Sequence, residues 1–182
     1  IKTICRALKC LIQKILFGLF QRIARSKKMS QFSPSKMWRL LKDYSLGRWF
    51  FAKAVCMRVP YFSSISPYFI DYNPEFVKVG MKKSRKITNH LGTIHVIAIA
   101  NLCELAAGTL MEGFLHKSLR WIPKGMNIEY LKKANSRLNA IAIMPKNIEQ
   151  NKKSDVAISV SVRDSNDTEV VRAEIIMYLT PK

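Results

Sequence analysis

VIAIANLCELAAGTLM, residues 96–111, is the stretch that decides the fold. Its 16 residues carry a single charge, Glu104. The run falls short of the roughly 20 residues a transmembrane helix needs. It is also too evenly apolar for a helix with one face in water. It therefore predicts a helix buried on nearly all sides. The segments that follow it are strand-like: residues 122–130, 137–144, 156–163 and 169–179, separated by polar or turn-forming stretches. VAISVSV (156–162) alternates strictly, and so does most of TEVVRAEIIMYL (168–179), as half-buried strands do. Ahead of the helix, residues 68–71 and 76–81 read as two short strands about a turn at Asn73-Pro74. There is no internal repeat and no βαβ alternation. Two strands, one buried helix and four strands predict an α+β domain, an antiparallel sheet wrapped around one long central helix.

Upstream, Met37, Leu40, Leu41, Trp49, Phe50 and Val55 recur at near-helical spacing. They predict a helix over 35–57, started at Ser33-Pro34 and open to a break at Gly47. Pro60 and Pro67 bracket a turn-rich stretch. Residues 1–28 hold eight basic residues and no acidic one, with Ile4, Leu8, Leu11, Ile12, Ile15, Leu19 and Ile23 on one helical face. The first methionine is Met29, where a polar stretch begins. The organisation expected is a basic amphipathic extension (1–28), a helical lead (29–60) and the sheet domain (61–182).

The chain has 182 residues and a net charge of +19, with a pI near 10.1. That excess points to an anionic partner: membrane surface, nucleic acid or phosphorylated ligand. Residues 29–182 hold 23 basic against 12 acidic residues, a net +11. A basic amphipathic helix at 1–28 suits an anionic membrane surface, or it packs on its own domain or a partner. Nucleic acid is disfavoured, because the cations are scattered between strands with no pattern of interleaved aromatics. Cys5, Cys10, Cys56 and Cys103 show no CxxC spacing, and the histidines are His90, His95 and His116 alone. No disulfide framework and no metal centre is expected, and a reducing, cytoplasmic setting fits.

Glu104 requires explanation. A carboxylate in an apolar helix is costly unless paired, hydrogen-bonded or neutralised. Burial would raise its pKa, which suits general acid–base work; a salt bridge to a strand cation or a subunit interface would also account for it. His95 lies about 13 Å away along the helix axis. The two share a site only if a substrate lies along the helix or if Glu104 of one protomer meets His95 of another. Gly92 and Thr93 precede the helix start, where free backbone N–H groups and the helix dipole would stabilise a developing oxyanion. Taken alone, His95 reads as a capping or core histidine.

Asn89-x-x-Gly92-x-x-His95, followed nine residues on by Glu104, resembles the signature of hot-dog-fold acyl-CoA thioesterases of the phenylacetate-pathway and 4-hydroxybenzoyl-CoA (Arthrobacter-type) kinds. IEYLKKANSRLNAIA resembles the strand pair after their central helix, and VSVRDSNDTEVVRAEIIMYL their last hairpin. VPYFSSISP, NHLGTIH and RWIPKGM are similar to a less characterised bacterial branch of that superfamily. The likeness covers about residues 61–181. It implies a hot-dog fold and thioester hydrolysis on acyl-CoA or an acyl-carrier protein. It implies Glu104 as general base, the backbone N–H after His95 as oxyanion donor, and Asn89 orienting the carbonyl or the water. It implies a homodimer, or a dimer of dimers, and no cofactor beyond the coenzyme A of the substrate. Substrate contacts are expected from Val96 and Thr109, and phosphate contacts from Lys132, Lys133 and Arg137, with Lys82, Lys83, Arg85 and Lys86 as rivals.

Two departures stand out. Val96 and Ile97 follow the histidine where the family has Gly-Gly. Gly108 stands one turn after the acid where the family has Ser or Thr, with Thr109 beside it. Both favour the alternative of a non-catalytic acyl-CoA-binding or regulatory module on the same fold. A hydratase would need an Asp/His pair that is not evident. The basic extension implies a peripheral position at the inner face of the membrane.

Overall fold

The computed structural model describes residues 33–149 and 152–182. The basic segment 1–28 lies outside the described residues. Pro34–Lys182 forms one compact unit.

Helix α1 spans Pro34–Leu41 and α2 spans Ser45–Arg58. Pro34 opens α1, where its missing N–H removes no helical hydrogen bond. The single helix expected over 35–57 is in fact two, and the break falls at residues 42–44 rather than at Gly47. Gly47 sits in the first turn of α2, where a side chain would collide with the Leu41 carbonyl oxygen. Its role is to let α2 start hard against the end of α1.

Strands β1 (Tyr68–Tyr72) and β2 (Phe76–Met81) form a hairpin. Asn73 Oδ1 accepts from the Glu75 and Phe76 N–H groups at 3.0 and 2.9 Å, an Asx turn that makes Asn73-Pro74 the corner. Then come α3 (Val96–Phe114), β3 (Leu119–Tyr130), β4 (Leu138–Ile143), β5 (Ser154–Arg163) and β6 (Glu169–Pro181). The sheet order is β1-β2-β4-β5-β6-β3, with every neighbouring pair antiparallel. Six strands wrap one long helix, which is the hot-dog arrangement.

The alternation read from the sequence becomes the inner face of the sheet. Val156, Ile158, Val160 and Val162 of β5 are buried, as are Val171, Ala173, Ile175, Met177 and Leu179 of β6. Register pairs Ile158 with Ile175 and Val162 with Val171. Against them α3 presents Leu102, Cys103, Leu105, Ala106 and Leu110, all with no exposed surface. Each large side chain so buried stabilises by about 1.5–3 kcal/mol. By length and composition α3 passes for a membrane span, but the sheet encloses most of it.

The two sheet edges differ. The β1 edge is closed by α1 and α2. Trp38, Phe51, Phe69 and Tyr72 meet there with ring centroids 4.8–6.3 Å apart. The Tyr72 hydroxyl donates to the Thr109 carbonyl of α3 at 2.9 Å. The β3 edge has no strand beyond it among the described residues. Pro123 lies at a register shift on that edge, where a missing N–H is tolerated.

Candidate active site

The helix start is built from its own loop. Gly92 has φ +72, with open space where a Cβ would stand. The backbone conformation itself, not crowding, asks for glycine there. Asn89 Oδ1 accepts from the N–H groups of Leu91 and Thr93, both at 3.1 Å, and its Nδ2 donates to Thr93 Oγ1 at 2.8 Å. The amide expected to orient a substrate is thus largely engaged in closing this loop, with one amide hydrogen left over. The His95 N–H donates to the Ile87 carbonyl at 2.7 Å, and the Ile94 N–H to the Ala134 carbonyl at 2.9 Å. The second bond ties the helix start to the β3–β4 loop, which carries Lys132 and Lys133.

His95 is the N-cap of α3, and its Nδ1 accepts from the Ile97 N–H at 3.1 Å. This geometry places the ring proton on Nε2. The Ala98 and Ile99 N–H groups both point to the His95 carbonyl. Within the first turn the Val96 N–H alone carries no intramolecular bond among the described residues. It lies at the positive end of the helix dipole.

The enclosure of α3 has one gap. Val96 and Ile97 are 39% and 57% exposed, and Ala100 and Glu104 are partly exposed at helical spacing beyond them. Facing this stripe is the inner face of β3. Trp121, Met126, Ile128 and Tyr130 pair in register with four buried residues of β6, Leu179, Ile175, Ala173 and Val171. Two contacts set the alignment. A Cβ at Gly108 would stand 3.4 Å from the Trp121 ring, and the Tyr130 hydroxyl reaches the Val96 carbonyl at 3.4 Å. Glu104 falls between them along the half-open α3 stripe that faces β3, the α3–β3 groove. Its carboxylate makes no ion pair or hydrogen bond among the described residues. The acid expected to be fully buried is half-buried, because it occupies the one stripe of α3 that the sheet leaves open.

The other candidates separate. Val96 lies at the groove's helix end. Thr109 does not line the groove: it is buried, and its hydroxyl donates back to the Leu105 carbonyl at 2.7 Å, with the Ala106 carbonyl at 3.2 Å. A threonine inside a helix satisfies its hydroxyl this way, so the expected ligand contact is corrected. Lys132 and Lys133 are exposed on the loop bonded to Ile94. Arg137 is exposed on the same loop, and its charge opposes the rise that burial imposes on the Tyr68 hydroxyl.

Tyr130 was not singled out by sequence reasoning, since its place is legible only from strand register. Burial, and secondarily Cys103, pushes its pKa up, so its hydroxyl stays a donor. Asn101 was also missed. It is 5% exposed, donates through Nδ2 to Ser64 Oγ at 3.1 Å, and ties α3 to the turn at Pro60–Ile65. Among the described residues no group of three or more His, Cys, Asp or Glu is placed to hold a metal ion.

A family model described as a domain of unknown function, DUF4442, matches residues 47–179. A structural-genomics crystal structure, APC5556, is 34% identical, with 82% of this chain and 99% of that chain covered and a TM-score of 0.71. A Pseudomonas aeruginosa protein of unknown function, named as a probable thioesterase, is 17% identical over 70% of this chain and 91% of its own, with a TM-score of 0.64. A Haemophilus influenzae thioesterase is 12% identical over 66% and 82%, with a TM-score of 0.56. The last two likenesses establish the shared fold. No protein with a curated description matches the chain.

Proposed function

The chain belongs to the DUF4442 family, and from that premise, the hot-dog fold and the α3–β3 groove we propose that it hydrolyses thioesters of acyl-CoA or an acyl-carrier protein. One observation carries the reading: Glu104, whose carboxylate has no partner among the described residues, lies on the half-open α3 stripe facing β3, which begins at a Val96 N–H with no intramolecular bond among the described residues. The thioesterase names of the P. aeruginosa and H. influenzae neighbours support it.

In this reading the thioester carbonyl lies against the α3 N-terminus, and the Val96 N–H polarises its oxygen. Glu104 takes a proton from water as the water oxygen attacks the carbonyl carbon. The tetrahedral adduct collapses by breaking the C–S bond. The departing thiolate takes the proton back, leaving carboxylic acid and free thiol. The axial separation of His95 and Glu104 is bridged when Glu104 of one protomer serves the α3 N-terminus of its partner in a homodimer. Lys132 and Lys133, on the loop bonded to Ile94, suit the phosphates of coenzyme A. No group besides the substrate's coenzyme A is needed. The basic segment 1–28 suits a peripheral place at the cytoplasmic face of a membrane.

A second reading, a non-catalytic acyl-thioester-binding module, is favoured by Thr109. With its hydroxyl committed to the helix and Gly108 beside it, nothing one turn after the acid positions water. The two readings part on a panel of acyl-CoA substrates assayed with a chromogenic thiol reagent. The thioesterase releases thiol. Thermal stabilisation by acyl-CoA with no thiol release assigns the binding module instead.

A further inference from the structure

A second cavity lies away from the groove. It is an open cleft of about 830 Å³ between α2, the turn at Pro60–Ile65, β1 and the loop after β2. That volume is in the range of ligand sites. No residue of α3 or β3 lines it.

Its charged lining is of one sign. Arg48 and Lys53 come from α2, Lys82 and Lys86 from the loop after β2, and no Asp or Glu is present. None of the four is in an ion pair among the described residues. Lys53 stands 5.6 Å from the centre of the Trp49 ring. Its charge also opposes the rise that burial imposes on the Cys56 thiol, a buried group on the cleft floor. Hydroxyls at Ser45, Ser63, Ser66 and Ser84 offer further donors, and Ala52 and Phe69 supply apolar floor. Four cations without a counter-charge repel one another, and a multiply charged anion turns that repulsion into attraction. Lysine and arginine beside hydroxyl donors suit phosphate oxygens, while the indole and the apolar floor suit a non-polar body.

The geometry points to this cleft as a binding site for a phosphate-bearing ligand with an apolar or aromatic body, separate from the acyl groove. Two sources share that chemistry: a free phosphorylated nucleotide and an anionic phospholipid. Because the cleft shares no lining residue with the groove, it stands or falls independently of the thioesterase reading.

The test uses the full chain. Adenosine 3′,5′-bisphosphate is titrated by calorimetry, and phosphatidic acid vesicles are tested by co-sedimentation, both at low ionic strength. At least one probe binds, and added salt weakens it. Lys53→Ala/Lys82→Ala/Lys86→Ala weakens that probe at least about tenfold, the scale of one lost charge-assisted hydrogen bond. Residues 1–28 remain in both proteins, so only the difference in vesicle binding between them is assigned to the cleft. Glu104→Gln binds as wild type does. Lys82→Glu, on an exposed loop, repeats the loss if the triple variant melts early. A loss confined to bisphosphate binding assigns a nucleotide, and a loss confined to vesicle binding assigns a lipid. Absence of binding by both probes, or unchanged binding in the folded triple and Lys82→Glu variants, overturns the site.

Discussion

Glu104 and Thr109 lie five residues apart on one helix, and their surroundings give them opposite chemistry. Glu104 lies on the open stripe, and its carboxylate has no bonding partner among the described residues. Thr109 faces inward and gives its hydroxyl to the preceding turn. The apolar run alone did not separate them, because α3 is apolar on every side and its periodicity names no open face. Two glycines show a similar contrast. A methyl group at Gly113 would fall on the hydroxyl of buried Tyr72. Gly113→Ala therefore lowers stability by about 1–3 kcal/mol, the usual cost of overpacking, measured by chemical denaturation. Gly92 has empty space but a left-handed backbone. Gly92→Asn is tolerated better than Gly92→Val, since Asn enters that region readily and a β-branched residue does not, and melting temperatures rank them.

At the scale of elements, strand and helix order were legible because alternation and evenly apolar runs reflect burial directly. Boundaries were less so. The β5 and β6 patterns emerged with small extensions, whereas the lead helix split at residues 42–44, where the polar sequence gave no stronger signal than Gly47 did. Within α3, Cys103 is fully enclosed, and burial holds its thiol pKa up at about 12 against an ordinary value of 9.0. The unfolded chain loses this proton first. The stabilisation from the neutral thiol is therefore complete below about pH 9 and declines as pH rises toward 12. Thermal melts across that range fall less steeply with pH in Cys103→Ala than in the wild type, although the variant starts lower because of the cavity. Equal slopes contradict the assignment.

At the scale of the whole molecule, the sheet ends on one guarded edge and one with no neighbour among the described residues. The β1 edge is sealed by an aromatic cluster that the sequence showed only as scattered Trp, Phe and Tyr. Among the described residues the twelve-residue β3 has no strand on its outer edge, with Ile122 60% exposed and Tyr130 46% exposed. Long bare edges invite pairing with another strand. The account predicts a solution mass of twice 20.9 kDa by sedimentation velocity, and dissociation toward monomer in Ile122→Asp. A wild-type monomer contradicts it. Oligomeric state was only hinted at by the His95–Glu104 spacing and implied by the family resemblance, because it depends on which edge remains uncovered after folding. Net charge and its concentration in residues 1–28, by contrast, were legible at once, but gathering Lys132 and Lys133 on one loop and Arg48, Lys53, Lys82 and Lys86 around one cleft needed the fold.

The central claim is that an unpaired Glu104 in the α3–β3 groove drives thioester hydrolysis. Steady-state thiol release from an acyl-CoA that the wild type turns over, compared with Glu104→Gln at matched folding and oligomeric state, tests it most directly. The account predicts turnover lower by about 10²-fold or more, the scale of a lost general base, with the melting temperature preserved. Wild-type turnover in folded Glu104→Gln contradicts it.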